Sequence, residues 1–300
     1  MEKLTIMTPT YNRAYILENA YDSLVRQKNK DFIWLIVDDG SSDNTESLVK
    51  KWIKDKKIKI EYYKKENGGK HTAINYALDR LKTEYVVLSL DSDDYFTDDA
   101  VEVILNKLDE KKCGLVFLCD DEKRSGRYKI KYDIISLSNC SISKAFSQNL
   151  FNASAIFVFK SNYIKNYKFP IFKNESFFNE GYMLYQLDEP IVWIDNALCI
   201  REYKEDGLTK NIFKTYYNNP NSWYLYNKLR YEKSKNIKRK IKYKIYEITF
   251  GLLSKSNFIK NASNKALTLL LLPLGFIGYI HIKIRVEKKW LRIVNLILLK

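Results

Sequence analysis

Six consecutive apolar residues, 32–37 (FIWLIV), run directly into Asp38 and Asp39. A strand with one wet face alternates apolar and polar side chains. An unbroken run of this length suits a strand covered on both faces. Residues 4–8, 58–63, 85–90 and 114–118 read as companion strands, with helical patterns at 15–27, 44–54, 72–81 and 98–108 between them. Strands alternating with helices build βαβ units, so the expected fold class is α/β, with a mostly parallel central sheet flanked by helices. Further strands are expected at 155–159 and 191–194, a helix at 178–187, and a helical stretch at 212–233 broken around Pro220.

The chain has 300 residues, 46% of them hydrophobic, enough for a substantial core. Ten glycines and five prolines exclude collagen-like or low-complexity character. Cys113, Cys119, Cys140 and Cys199 form no C-x-x-C pair, so they read as core thiols of a reducing compartment. The N-terminal MEKLTIMTPTYNR lacks the apolar run of a signal peptide, which points to the cytoplasmic side of the membrane. A net charge of +15 suggests nucleic acid, an anionic membrane or phosphate-bearing ligands as partners. The excess is local, concentrated in KLRYEKSKNIKRKIKYK at 228–244.

Three polar strings each follow the end of an expected strand: Thr10-Tyr11-Asn12-Arg13, Asp38-Asp39-Gly40-Ser41-Ser42 and Asp91-Ser92-Asp93-Asp94. In open α/β sheets the carboxyl edge is where loops splay and ligands bind. A carboxylate at the end of the second strand suits an N–H on a flat base such as uracil. Glu66-Asn67-Gly68-Gly69-Lys70 opens the next helix, where glycines let backbone approach a ligand and Lys70 meets phosphate. It is not a P-loop, since G-x-x-x-x-G-K-[ST] is absent. Asp91 and Asp93, two residues apart, are able to converge on a hard divalent cation that bridges diphosphate oxygens. His71 reads as a helix-start residue.

TPTYNR, VDDGSSDNT, NGGKHTAINYAL and LDSDD, in this order over roughly residues 1–110, resemble family 2 glycosyltransferases of the GT-A fold, and less strongly to about residue 210. The resemblance implies a GT-A domain at 1–211, with a nucleotide-binding half at 1–110 and an acceptor-side half at 111–211. It implies a UDP-sugar donor, with Tyr11 and Asp39 on the uridine, Pro9 and Asp38 shaping the loops, and Lys70 near the nucleotide. Asp91 and Ser92 would lie against ribose or sugar, and Asp93 would ligate Mn²⁺ or Mg²⁺. The general base of an inverting transfer falls to Glu180, with Glu175 as the alternative. Glycine, Gly181, stands where the second member of the family's acidic pair is expected. The loop 202–211 (EYKEDGLTKN) resembles a donor or acceptor contact of polysaccharide-assembling members.

Residues 212–300 form the expected helical, basic and apolar C-terminal extension. Within it, 266–282 (ALTLLLLPLGFIGYIHI) is uncharged but falls short of the ~20 apolar residues of a spanning helix. With the basic stretch upstream, it is expected to lie in the interface of an anionic leaflet, His281 included, on the cytoplasmic face of the plasma membrane. The reading is therefore a metal-dependent glycosyltransferase acting on a lipid-linked glycan in surface-polysaccharide synthesis. The competing readings are a nucleotidylyltransferase and a basic nucleic-acid-binding protein. The first calls for a glycine-rich basic loop after the first strand, and TPTYNR is not one. The second has to pass phosphates across the carboxylates of the front half, so no nucleic-acid partner is expected.

Overall fold

In the computed structural model the apolar runs form an eight-stranded sheet; residues 2–121, 137, 140–151, 154–201 and 211–298 are described, apart from the side chains of 120–121 and 287–298. The strands are β1 (Leu4–Thr10), β2 (Phe32–Asp38), β3 (Ile60–Lys64), β4 (Tyr85–Val87), β5 (Asp94–Phe96), β6 (Gly114–Asp121), β7 (Ala155–Lys160) and β8 (Val192–Arg201). Their order is β3-β2-β1-β4-β7-β6-β8-β5. The first four are parallel neighbours, and β8 lies parallel to β6. β7 runs antiparallel to both β4 and β6, and β5 antiparallel to β8. The parallel majority is as expected from the alternating pattern; the antiparallel insertions are an addition to it.

Every residue of β1 and β2 is buried, which is why their sequences do not alternate. Helices Leu17–Val25 and Thr45–Asp55 supply Tyr21 and Trp52, which stack at 4.2 Å, with Trp34 of β2 5.7 Å from Trp52. Deleting such a buried ring costs about 3–5 kcal/mol. Pro9 lies opposite Val37, past the end of the β4 pairing at Ile6, where a strand tolerates a missing N–H. β8 continues well past the expected 191–194, because exposed Asp195 and Asn196 interrupt its apolar pattern. The expected helix at 178–187 contracts to one turn, Gly181–Leu184. The four cysteines are buried and free.

The chain divides into two compact units: Met1–Phe169 with Gln186–Lys204, and Pro170–Tyr185 with Glu205–Lys300. The sheet belongs to the first. The second contains the single turn Gly181–Leu184 and helices Ile212–Asn218, Pro220–Lys233, Ile237–Leu253 and Lys265–Leu298. The expected break falls at Asn219, and Pro220 takes the first helical position, where its missing N–H is harmless. Trp223 packs with Tyr216 at 4.7 Å and Phe250 at 5.8 Å. Lys244 and Glu247 form a fully buried ion pair at 3.0 Å, with the Tyr231 ring centroid 4.7 Å from the ammonium.

Candidate active site

The loops after β1 and β2 are stitched together by their own polar groups. The Asn12 amide donates to Ser41 Oγ at 2.8 Å, and Asn12 Oδ1 accepts from the Ser42 amide at 2.8 Å. Asp43 accepts from the Ala14 amide at 3.0 Å. Asp38 is fully buried: Oδ1 accepts from the Ser41 amide at 2.7 Å and Oδ2 from the Tyr62 hydroxyl at 2.6 Å. Its place is to hold the loop in shape. Tyr11, next to the stitched Asn12, is 49% exposed at the strand end.

Asp39 is buried as well, but it gathers cationic and amide donors. Lys65 Nζ reaches Oδ1 at 2.6 Å, the Gly68 amide reaches Oδ1 at 3.1 Å and the Gly69 amide reaches Oδ2 at 2.6 Å. The two glycines of ENGGK therefore turn their N–H groups toward an internal carboxylate. Gly69 does so at φ +92, a conformation that glycine adopts freely, and a Cβ on Gly68 would lie 2.8 Å from Thr72 Oγ1. Lys65 was not singled out in the sequence. The register pairs Asp38 with Lys64, so the next residues, Asp39 and Lys65, leave the sheet side by side.

At the end of β4 the carboxylates are treated unequally. Asp91 accepts from Lys70 Nζ at 2.6 Å and Ser89 Oγ at 2.5 Å. Asp94 is buried and pairs with Arg201 Nε at 3.2 Å, across the β5–β8 register that sets these two residues opposite each other. Ser92 is buried between them in sequence. Asp93 makes no ion pair and no side-chain hydrogen bond to another of the described residues. Arg201 could not be found from the sequence, because only the antiparallel pairing of two distant strands brings it here.

Electrostatics follow from this geometry. Burial raises the Asp91 carboxyl, but Lys70 and Arg201, with hydrogen bonds from Lys70 and Ser89, overcome it and hold the group at about 2. For Asp93, burial and then the neighbouring Asp91 charge outweigh Arg13 and Lys70, so it lies above the ordinary 3.8. Asp94 also lies above it, since burial and Asp91 outweigh Arg201. Among the described residues no three His, Cys, Asp or Glu side chains form a complete metal cage.

The two base candidates lie in the second unit. Glu175 is buried, and its Oε1 accepts from the Asn221 amide and Nδ2, both at 2.8 Å. Its Oε2 accepts from the Ser222 amide at 2.9 Å and hydroxyl at 2.6 Å. It caps the start of helix Pro220–Lys233, where a carboxylate meets unpaired N–H groups and the positive end of the dipole. These four hydrogen bonds occupy both carboxylate oxygens of the alternative base candidate. Glu180, half-buried, opens the turn Gly181–Leu184. Gly181 has a local reason to be glycine: a Cβ there would lie 2.5 Å from the Tyr226 hydroxyl and 2.8 Å from Asn179 Oδ1. The loop 202–211 lies outside the described residues except for Asn211.

The sequence profile of glycosyl transferase family 2 matches residues 5–189. A Campylobacter jejuni GalNAc(5)-diNAcBac-PP-undecaprenol beta-1,3-glucosyltransferase is 31% identical over 256 residues, covering 80% of this chain and 79% of that one. Staphylococcus aureus TarS 1–349, solved with UDP-GlcNAc, superposes with TM-score 0.59 at 15% identity, over 96% of this chain and 92% of that one. The Pyrobaculum calidifontis mannosyltransferase PcManGT, solved with GDP-Man and Mn²⁺, superposes with TM-score 0.52 at 18% identity, over 92% of this chain and 73% of that one. The sheet is thus of the GT-A kind.

Proposed function

The chain belongs to glycosyl transferase family 2, and from that premise we propose that it moves a sugar from a UDP-sugar to a hydroxyl of a lipid-linked glycan, with inversion and with Mn²⁺ or Mg²⁺. The family membership favours transfer over nucleotidylyl chemistry and over nucleic-acid binding. The lipid-linked acceptor follows the undecaprenol-linked glycan in the name of the Campylobacter relative. An acceptor of that kind puts the enzyme on the cytoplasmic face of the plasma membrane, in surface-polysaccharide synthesis.

One observation carries the reading: among three clustered aspartates, two are neutralised by Lys70 and Arg201 and the third, Asp93, is not. Asp93 would hold the cation, which when bound would supply positive charge to the departing diphosphate. Asp91 sits on the donor side with Ser92 and fixes Lys70 beside the phosphates. Tyr11 offers its exposed ring to the uracil face. Asp39, whose orientation is set by Lys65 and the glycine amides, accepts from the base edge. Pro9 and Asp38 keep those two strand ends in shape. Glu180 takes the proton of the attacking hydroxyl, a role worth about 10²–10⁴-fold in rate.

Titrating UDP against native protein and Asp93→Asn, with and without Mn²⁺, tests the site. Metal-dependent binding confined to the native chain is expected; metal-independent binding equal in both chains ends the assignment. A panel of UDP-sugars, read by UDP release, identifies the donor, and silence across the panel with metal present removes UDP-sugars from the reading. Glu180→Gln should lower kcat by about 10²–10⁴-fold while UDP affinity stays. An unchanged kcat moves the base elsewhere.

A further inference from the structure

The second unit carries a helix whose surface does not suit water. Helix Lys265–Leu298 packs onto helix Ile237–Leu253 along a narrow strip that includes Thr268, Gly275, Gly278 and Ile282. The glycines permit close approach: a Cβ on Gly275 would lie 2.3 Å from Ile248 Cγ2, and one on Gly278 2.4 Å from Thr249 Oγ1. The Thr249 hydroxyl donates to the Gly275 carbonyl at 3.1 Å. Over residues 266–282 the rest of the perimeter is uncharged and mostly apolar, and it faces outward. Leu269, Leu270, Leu274, Phe276, Ile277 and Ile284 are exposed, Leu270 at 74% and Ile277 at 63%. A helical stretch with so many large apolar side chains exposed needs an apolar medium on the side its own protein leaves open.

Charge identifies the medium. Between residues 235 and 286 the sequence has eleven Lys and Arg and a single acid, Glu247. That acid is buried against Lys244. The accessible charge of this region is therefore entirely positive. On helix Ile237–Leu253 the outward face interleaves Ile237, exposed at 68%, and Ile241 with Lys238 and Lys242. A second copy of the chain would set this positive face against itself. An anionic leaflet supplies acyl chains for the leucines and headgroups for the lysines.

Orientation follows from what the inner strip touches. From Thr268 to Ile282 the helix lies against neighbours of its own unit, including Phe213, whose ring centroid is 5.6 Å from that of His281. Crossing the bilayer would carry the lysine-bearing helix 237–253 into hydrocarbon, which is strongly disfavoured. We propose that residues 265–286, with the outer face of helix 237–253, form an in-plane surface that seats this unit on an anionic membrane. This specifies the membrane partner of the reading above and rests on that location, though not on the transfer chemistry.

The full-length protein is floated with vesicles of equal parts phosphatidylglycerol and phosphatidylcholine, and with phosphatidylcholine alone. Binding is expected to the anionic vesicles and to weaken at least about ten-fold without the anionic lipid. The doubly substituted Leu270→Glu/Ile277→Glu, at exposed sites and checked for an unchanged thermal midpoint, should lose at least about ten-fold in binding. A variant that floats like the native chain, or a native chain that floats with neither vesicle, overturns the proposal. So does a lipid-free dimer that the variant dissolves without altering vesicle binding. Fluorophores on Leu270→Cys and Ile284→Cys, about 21 Å apart along the axis, should be quenched alike by shallow nitroxide lipids. Unequal depths overturn the in-plane seat. UDP-sugar hydrolysis separates the two readings. Retained by the non-floating variant, it supports a surface apart from the chemistry. A native chain that floats but hydrolyses none removes the UDP-sugar donor from that reading and supports this one.

Discussion

The ends of β2 and β4 both present aspartates to the same sheet edge, and the protein answers them differently. At β2, Asp38 and Asp39 are given partners from within the chain: a tyrosine hydroxyl, an ammonium and three backbone amides. At β4, Asp91 and Asp94 are each given one cation, and Asp93 is left over. Acidity at a strand end therefore has two meanings. Asp38, Asp39, Asp91 and Asp94 are satisfied from within the chain, and the proposal above gives Asp93, which is not, to the cation.

The contrast is broken most decisively at Asp93. Asp93→Asn should reduce kcat/KM about 10³-fold, as expected for losing electrostatic support of a leaving group, with the thermal midpoint unchanged. A large loss of stability instead would mean Asp93 belongs with the satisfied carboxylates. Asp39→Asn should, unlike Asp93→Asn, also destabilise the fold, by about 3 kcal/mol, because the largely covered Lys65 ammonium is left beside an uncharged amide. Urea unfolding measures it, and full stability in the variant erases the distinction between the two strand ends. Glu175→Gln extends the comparison to the second unit. Loss of a charge that accepts four hydrogen bonds should cost about 2 kcal/mol, with kcat preserved in folded protein. A collapse of kcat at full stability would return Glu175 to the chemistry.

The smallest effect is expected at Asp43. Burial would raise its carboxyl, but hydrogen bonds from Thr45 and from the Ala14 amide bring it below the ordinary 3.8. A folded-state value below the unfolded one gives stability that is present above 3.8 and lost as pH falls through the lowered value. Asp43→Ala should thus flatten the acid end of the stability curve and leave neutral pH changed by under about 1 kcal/mol. An unaltered acid limb would show that the stitch between the β1 and β2 loops is unimportant.

The buried strands were legible because covering both faces forces an unbroken apolar run, and the acidic strings could be placed on the sheet edge from that alone. Which aspartate is satisfied could not be read, since Lys65 depends on the β2–β3 register and Arg201 on the pairing of β5 with β8. β5 itself is three residues long, too short for a pattern. The sequence leaves Glu175 open between helix cap and base, because a buried cap and a catalytic acid share residue type and local context. The partners that separate them, Asn221 and Ser222, lie more than forty residues on.

That cap also bears on how the polypeptide is made. The chain enters its second unit at Pro170, leaves at Tyr185 and returns at Glu205. As the nascent chain emerges, Glu175 appears well before the amides that satisfy it, so this segment stays unfinished until helix Pro220–Lys233 has been synthesised. Cutting the gene after the sheet would not yield a tidy smaller enzyme; it would strand residues 170–185 with a buried charge and no cap. The C-terminal helices are a delayed half of a unit begun in mid-chain, not a tail added to a finished one.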